Sequence, residues 1–335
     1  MPDIKPPSSA MPPPRTNDPS EKIVIAVNLV PFLDEQQVQR QAAAIAKISA
    51  LSIPEIVLLN ICYPDEILSP AGWKIAPELQ RSADLELKID GKRKPFVTDL
   101  FDIAANWATE YGIGWFLLAN SDIIITDGLI HEIHRLHSEG FETAAISRNE
   151  IEEVDATGRI IPGELIINGY DVFACKTSWW LANRHRFQPY IYGERAWDAV
   201  FAAIMACHSR FTMLYVNGLC FHHKHPPSWL TGLYSEYNLK LYLENDKPYS
   251  DRYRAFIKNL SSLERSLLTR EKITELLAQY FTNTETVQNE DKTMGTDIKS
   301  QSYLPDDKIG LRIDCSATKG TLFMEPLPTD RKSVV

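Results

Sequence analysis

Short apolar runs alternate with amphipathic stretches along the first half of the chain. Ile23–Val27 is a β-branched run, residues 34–51 repeat apolar side chains at helical spacing, and residues 55–59 form a second apolar run. A strand, a helix and a strand in this order are typical of the βαβ unit of a parallel sheet. The pattern therefore predicts that the fold begins with such a unit.

The alternation continues toward the middle of the chain. Residues 98–111 carry an apolar stripe of the kind that a helix presents to a core, and the run Trp115–Ala119 predicts a buried strand. Residues 128–138 predict another amphipathic helix, and residues 143–146 predict a further strand. Together these elements indicate an α/β fold, in which helices flank a central, mostly parallel sheet.

Two pairs of apolar runs in the second half of the chain each flank an Asn-Gly dipeptide. These dipeptides, at 168–169 and 217–218, are typical of tight turns between antiparallel strands. We therefore expect a turn at residues 168–169 and a hairpin over residues 212–221.

Composition divides the chain into four parts. Residues 1–20 contain seven prolines and few large apolar side chains, so they cannot bury enough surface to fold and are predicted to be disordered. We expect one folded domain over residues 21–245, helices over residues 246–282 that pack on it, and a mostly flexible tail over residues 283–335.

Charge and cysteine content argue against several classes of protein. A formal net charge of −9 disfavours a broad nucleic-acid-binding surface. The five cysteines are odd in number and form no C-x-x-C pair, which disfavours both a disulfide framework and a cysteine zinc site. The sequence contains no apolar run of the roughly 20 residues that a membrane helix needs and no secretory signal, so we expect a cytoplasmic protein.

The strongest candidate for chemistry is the triplet Asn120-Ser121-Asp122, which directly follows the predicted strand Trp115–Ala119. Open α/β sheets bind ligands at the carboxyl ends of their strands. A carboxylate at that edge can bind a hard divalent cation, which in turn neutralises a diphosphate. The alternative is that Asp122 caps a turn and binds nothing.

A second candidate is the cluster His222-His223-Lys224-His225, because neutral imidazoles are good ligands for transition metals. If the cluster continues a strand, His223 and His225 point to one face and His222 to the other. The alternative is an exposed, polar strand end.

Two further groups carry charge. Glu194 and Asp198 are spaced to share one flank of a helix. Burial beside Trp197 would raise the pKa of either carboxyl group, so that it could act as a general base. The alternative is that both are acids at the start of a helix, where the macrodipole favours negative charge. The basic residues 92–94 are candidates for binding phosphate or, alternatively, for a solvated loop.

Several motifs are missing from the sequence. It contains no G-x-G-x-x-G after the first strand, no Walker A loop, no G-x-S-x-G and no H-E-x-x-H. Dinucleotide oxidoreductases, P-loop NTPases, α/β-hydrolases and zincins are therefore disfavoured.

Over about residues 22–230, the order of these pieces resembles the GT-A-fold glycosyltransferases, which use nucleotide-sugar donors. The resemblance implies a GT-A-like catalytic domain whose mixed, mostly parallel sheet is flanked by helices. In that family a strand ends in an acidic D-x-D triplet that binds a divalent metal. Here Asn120 replaces the first acid, so the triplet offers one carboxylate, that of Asp122, instead of two.

The resemblance also implies roles for individual residues. Asp122 would hold Mn²⁺ or Mg²⁺ together with His223 and His225, and Glu194 or Asp198 would activate the acceptor. The residues that would contact the nucleotide sugar are Asn28, Pro31, Asn60, Arg93, Lys94 and Asn120.

The resulting hypothesis is transfer of a sugar from a nucleotide-diphosphate donor to the hydroxyl of a saccharide or other acceptor. A non-catalytic nucleotide- or sugar-binding protein on the same scaffold is the main alternative. A sugar-phosphate nucleotidyltransferase is disfavoured because residues 28–32 contain no glycine, and a metal-dependent hydrolase because the histidine cluster has no second ligand motif to complete a site.

Overall fold

The computed structural model describes residues 22–89, 91–154, 159–225, 232–264 and 267–281. The predicted disordered segment 1–20 and the predicted tail 283–335 lie outside these residues. The described strands are β1 (Ile23–Val27), β2 (Ile56–Ile61), β3 (Lys74–Ala76), β4 (Trp115–Ala119), β5 (Ile123–Ile125), β6 (Thr143–Val154), β7 (Ile160–Lys176), β8 (Phe211–Leu214) and β9 (Cys220–His222). The described helices are α1 (Glu35–Ser49), α2 (Ala83–Leu87), α3 (Val97–Glu110), α4 (Asp127–Ser138), α5 (Thr177–Asn183), α6 (Trp197–His208), α7 (Leu233–Lys240), α8 (Lys247–Ser262) and α9 (Arg270–Phe281).

The first half of the sheet is parallel. Strand β1 lies between β2 and β4, and its five apolar residues are all buried. The intervening helix α1 begins after Asp34, whose side chain accepts a hydrogen bond from the backbone N–H of Gln37 at 2.9 Å. The predicted strand, helix and strand at the start of the fold are therefore confirmed.

The second half of the sheet makes it mixed. The strands follow the order β3-β2-β1-β4-β7-β6-β9-β5, and β7 is antiparallel to both β4 and β6. Five of the eight strand pairings given for the described residues are parallel. The predicted fold class, a mixed and mostly parallel sheet flanked by helices, is confirmed.

Alternation along the strands builds a core on each face of the sheet. Val24 and Ala26 of β1 pack into the cluster that includes α3 and α6, whereas Ile25 and Val27 pack into the cluster that includes α4. Helices α8 and α9 add apolar side chains to the first of these clusters. None of the described helices has the length and apolar composition needed to cross a bilayer.

The turn predicted at residues 168–169 and the hairpin predicted over residues 212–221 are both wrong. Residues 165–174 belong to one continuous strand, β7, which pairs along its length with β6 through several bulges. Strands β8 and β9 do not pair with each other, because each lies parallel to a different part of β6. Gly218 does adopt the positive φ of a turn, but the two strands that it separates are placed by the long β6 strand and not by the turn.

Candidate metal centre

The predicted triplet forms the short connection between two strands. Strand β4 ends at Ala119 and β5 begins at Ile123, so Asp122 lies at the carboxyl edge of the parallel half of the sheet. Strand β5 pairs with β9, and Ile123 is the register partner of His222. This pairing brings Asp122 next to histidines that follow it by about a hundred residues in the chain.

Three side chains converge there, and we call Asp122, His222 and His225 the metal-ligand triad. The Nε2 atoms of His222 and His225 are 3.1 Å apart. The Oδ2 atom of Asp122 lies 3.2 Å from His225 Nε2 and 3.5 Å from His222 Nε2. Two imidazole nitrogens and one carboxylate oxygen thus face one another.

These separations fit a shared metal ion. Ligand atoms about 2.1 Å from one ion lie roughly 3.0 to 3.4 Å from each other in octahedral or tetrahedral coordination. Two of the observed distances, 3.1 and 3.2 Å, lie within this range, and the third, 3.5 Å, lies just above it. The triad therefore presents a donor set that a divalent ion can occupy without rearrangement of the backbone.

The contacts within the triad favour a protonated His222 ring. Burial alone would lower the pKa of His222, but hydrogen bonds to Asp122 and Glu150 raise it to about 9. Burial would likewise raise the pKa of Asp122, yet its bonds with His222 and His225 hold that pKa well below its usual range. A metal ion must therefore displace the proton of His222 in order to bind.

The structure places His222, and not the predicted His223, beside Asp122 and His225. The prediction assumed that strand alternation continues through the whole histidine cluster. Strand β9 ends at His222, and residues 223–225 follow without strand structure, so the alternation no longer decides which side chains meet. The ring of His223 is partly exposed, and burial together with the charge of His222 lowers its pKa.

Asn120 is tied to a neighbouring strand. Its Nδ2 donates a hydrogen bond to Asp171 Oδ1 at 2.5 Å, and its backbone N–H donates to the Asp171 carbonyl at 3.0 Å. The first of these bonds fixes which way the amide points, since a carboxylate can only accept. The buried Oδ1 atom of Asn120 has no hydrogen-bond partner among the described residues, and an amide oxygen of this kind is a ligand type that hard cations accept.

The asparagines predicted to line a nucleoside pocket tie two strand ends together. Asn28 donates to the carbonyl of Ile61 at 2.7 Å, and Asn60 both accepts from the Leu29 N–H at 3.0 Å and donates to the Leu68 carbonyl at 2.8 Å. Both side chains are buried, whereas Pro31 is exposed. The two amides therefore hold the ends of β1 and β2 against each other.

The cations predicted to approach a diphosphate both have acidic partners. The Arg93 guanidinium lies 2.6 Å from a carboxylate oxygen of Asp65 and 3.8 Å from the ring centre of Tyr63. Lys94 Nζ lies 2.5 Å from Glu194 Oε1, and this carboxylate also accepts a hydrogen bond from Ser235. A phosphate contact by either cation therefore has to compete with an ion pair.

Glu194 and Asp198 do not share a helix flank, contrary to the prediction. Helix α6 begins at Trp197, because Ala196 takes a left-handed conformation with φ 71°, and Glu194 lies in the preceding turn. Asp198, in the first turn of the helix, accepts a hydrogen bond from the backbone N–H of Tyr170 at 3.4 Å. Burial, reinforced by the negative charge of Asp171, raises the pKa of Asp198 to about 6.

Sequence reasoning missed Arg148 and Glu150, which link the triplet to the triad through Asp171 and His222. It named His222 within the histidine cluster but did not assign it as a metal ligand. The available signal was the run of charged residues inside an otherwise strand-like stretch, since acids and arginine are unfavourable in the middle of a sheet unless they have partners.

No protein-family profile and no curated protein matches the chain. Among solved structures, it is similar to residues 1–349 of TarS from S. aureus in complex with UDP-GlcNAc, with 12% sequence identity and a TM-score of 0.43 over 81% of this chain and 92% of that one. It is also similar to a proposed nucleotide-diphospho-sugar transferase from Desulfovibrio desulfuricans G20, with 12% identity and a TM-score of 0.36 over 78% and 98% of the respective chains. A likeness this loose assigns neither a family nor an activity to the chain.

Proposed function

We propose that this protein is a glycosyltransferase that moves a sugar from a nucleotide-diphosphate donor to an acceptor hydroxyl with the help of a divalent metal. One observation carries the proposal: the metal-ligand triad lies at the carboxyl edge of the sheet. There the ends of β1, β2 and β4 are in register, with Val27 paired to both Asn60 and Ala119. This edge is where open α/β sheets bind nucleotides.

The chemistry needs negative charge to be stabilised on the leaving diphosphate and a proton to be removed from the acceptor. Asp122, His222 and His225 would hold a divalent ion, which would supply the first requirement as a Lewis acid. Two imidazoles in the donor set favour a transition metal such as Mn²⁺ over Mg²⁺.

Asp198 is the better placed of the two predicted bases. Its pKa of about 6 leaves it ionised near neutral pH while it is still basic enough to accept a proton. Two hydrogen bonds link it to the triplet through neighbouring residues of β7. The backbone N–H of Tyr170 donates to Asp198, and Asn120 donates to the carboxylate of Asp171. Glu194 is less suitable, because Lys94 and Ser235 already occupy its carboxylate.

Calorimetric titration of UDP and GDP, with and without Mn²⁺, tests the proposal in its simplest form. We expect one of the two nucleotides to bind only when Mn²⁺ is present, and the corresponding nucleotide sugar to be hydrolysed slowly in the absence of an acceptor. Failure of both nucleotides to bind in the presence of Mn²⁺ would refute the proposal.

A second candidate function is nucleotide or sugar binding without catalysis. It is favoured by Asn120, which leaves one carboxylate in the triplet, and by the ion pairs that occupy Arg93 and Lys94. Metal-independent binding of UDP or GDP without any hydrolysis of the nucleotide sugar would support this candidate over the transferase.

A further inference from the structure

The two ring nitrogens of His222 face different partners. Nε2 faces Asp122 and His225, whereas Nδ1 lies 3.1 Å from Oε2 of Glu150. The contact with Glu150 follows from the sheet, because Glu150 and His222 are register partners in the parallel pairing of β6 with β9. Both side chains are largely buried, so water competes little for this contact.

Glu150 is itself held in place. Arg148 Nε donates to Glu150 Oε1 at 3.3 Å, and Arg148 Nη1 donates to Asp171. The other carboxylate oxygen of Asp171 accepts from Asn120. These contacts form a continuous chain, which we call the Arg148 network: Asn120, Asp171, Arg148 and Glu150.

A bulge in strand β7 makes this network possible. Ile146 is paired with Val172 and the next residue, Ser147, with Tyr170, which leaves Asp171 as the extra residue. A bulge of this kind redirects a side chain out of the regular ladder. Asp171 can therefore contact both Asn120, which directly follows β4, and Arg148 of β6.

We propose that Glu150 is a positioning residue that orients His222 for metal binding, with the rest of the Arg148 network holding Glu150 in place. An ionised carboxylate only accepts hydrogen bonds, so Glu150 keeps a proton on Nδ1 and leaves the Nε2 lone pair for the ion. A carboxylate behind a metal-binding histidine commonly fixes the tautomer and ring orientation in this way. This inference rests on the metal-assisted function proposed above.

Titration of the protein with Mn²⁺ alone, without nucleotide, tests the role of Glu150. We expect Glu150→Ala to weaken Mn²⁺ binding by about 10- to 100-fold, the usual effect of losing such a partner. Glu150→Gln should lose less, because its amide oxygen still accepts the Nδ1 proton. The matched control is Glu152→Gln, two residues further along β6 and exposed, which should bind Mn²⁺ like the unaltered protein.

A merely structural ion pair would not change the tautomer of one ring, so a second readout separates the two roles. Long-range ¹H–¹⁵N spectra of the Zn²⁺-loaded protein should show the His222 ring protonated at Nδ1, and Glu150→Gln should shift this signal while thermal unfolding stays cooperative. The inference is overturned if Glu150→Ala and Glu150→Gln both bind Mn²⁺ within about twofold of the unaltered protein. It is also overturned if the unaltered protein binds neither ion.

The two proposals can fail separately. Metal binding that depends on Glu150, in a protein that neither binds nor hydrolyses a nucleotide sugar, would leave the positioning role intact and refute the transferase. Sugar transfer by a protein whose Mn²⁺ affinity does not depend on Glu150 would support the transferase and refute the positioning role.

Discussion

Two partly buried clusters in this molecule each join residues about a hundred positions apart, and they differ in how their charges are matched. In the first, Lys94 and Glu194 form a close ion pair, and Ser235 donates to the same carboxylate. In the second, Asp122 faces His222 and His225. The first cluster has one cation for one anion, whereas the second places three potential metal donors against one another.

This difference separates a stabilising contact from a binding site. Each group of the Lys94–Glu194 pair satisfies the other, so a further charged ligand would have to break it. In the triad the charge balance depends on a proton, because hydrogen bonds to Asp122 and Glu150 raise the pKa of His222 to about 9. A divalent ion can take the place of that proton.

Replacing Asp122 should have the largest effect. Asp122→Asn removes the only carboxylate of the triad, and we expect Mn²⁺ affinity to fall by at least about 1000-fold, beyond the 10- to 100-fold typical of residues that only support a ligand. Donor hydrolysis should be lost with it. Calorimetric titration and a hydrolysis assay measure both effects.

Asp127→Asn is the control for this change. Asp127 opens helix α4 close by in the chain, but its carboxylate bonds Ser52 at 2.6 Å and 3.1 Å. The Asp127→Asn variant should therefore bind Mn²⁺ with the affinity of the unaltered protein. If Asp122→Asn and the unaltered protein bind Mn²⁺ with equal affinity, the triad is not a metal site, and the contrast with the Lys94–Glu194 pair fails.

Replacing the proposed base should have the next largest effect. Asp198→Asn keeps the shape of the side chain but cannot accept a proton, so we expect transfer to fall by about 100-fold or more. In the unaltered protein, kcat/KM should rise with pH through a pKa of about 6, because only ionised Asp198 accepts the proton. A pH–rate profile that is flat between about pH 5 and 8 would contradict the assignment.

The same group makes a prediction about stability. Because the folded-state pKa of about 6 lies above the usual value of 3.8, folding favours the protonated carboxyl. Its stabilising contribution is complete below about pH 4 and is lost as the pH rises through 6. Asp198→Asn should therefore raise the free energy of unfolding by about 3 kcal/mol near pH 7.5 and change it little near pH 4.

Asp246→Asn is the matched control. Burial raises the pKa of Asp246 to about 6 as well, against the effect of a hydrogen bond from Tyr190. Urea unfolding at the two pH values should give the same pattern of stability for both variants, while only Asp198→Asn loses transfer. Loss of transfer in both variants would indicate a general effect of altering buried acids.

Breaking the Lys94–Glu194 pair should reduce stability more than it alters metal binding. The Lys94 side chain is 23% exposed and that of Glu194 is 7% exposed, so Lys94→Met leaves a nearly buried carboxylate without its cation. We expect a loss of about 2 kcal/mol in urea unfolding, reduced from the value for a fully buried pair. Mn²⁺ affinity should be unchanged.

A double variant completes this test. Lys94→Met combined with Glu194→Leu removes both charges and should recover most of the lost stability, since no unpaired group remains. If the double variant is as unstable as the sum of the two single variants, the two residues do not act as a pair, and the contrast between the clusters fails.

The parallel half of the sheet and the position of Asp122 could be predicted because their signals are local. Ile23–Val27 and Trp115–Ala119 are continuous apolar runs, which are typical of strands buried on both faces. A polar triplet after such a strand must lie at the edge of the sheet. The metal-binding prediction for Asp122 rests on this placement and stays a proposal.

The other half of the site could not be predicted because pairing between distant strands decides it. Glu150 meets His222 through the register of β6 with β9, and Asp171 leaves the ladder through a bulge. The sequence near Asn168-Gly169 favours a turn, yet pairing with β6 keeps that segment in a strand. Local propensity is a weak guide where tertiary pairing of this kind competes with it.

The smallest expected effect concerns the histidine that the sequence pattern favoured. His223→Ala should change Mn²⁺ affinity by less than about twofold, whereas His222→Ala should weaken binding at least about tenfold, because only His222 faces Asp122. The two variants remove the same chemical group from neighbouring positions, so differences in unfolded-chain entropy cancel between them. The reverse order of effects would mean that strand alternation continues past His222, and the triad would then have to be rebuilt around His223. Equal and small effects would leave Asp122 and His225 as the only contributors, and two donors are too few to distinguish this cluster from an ordinary ion pair.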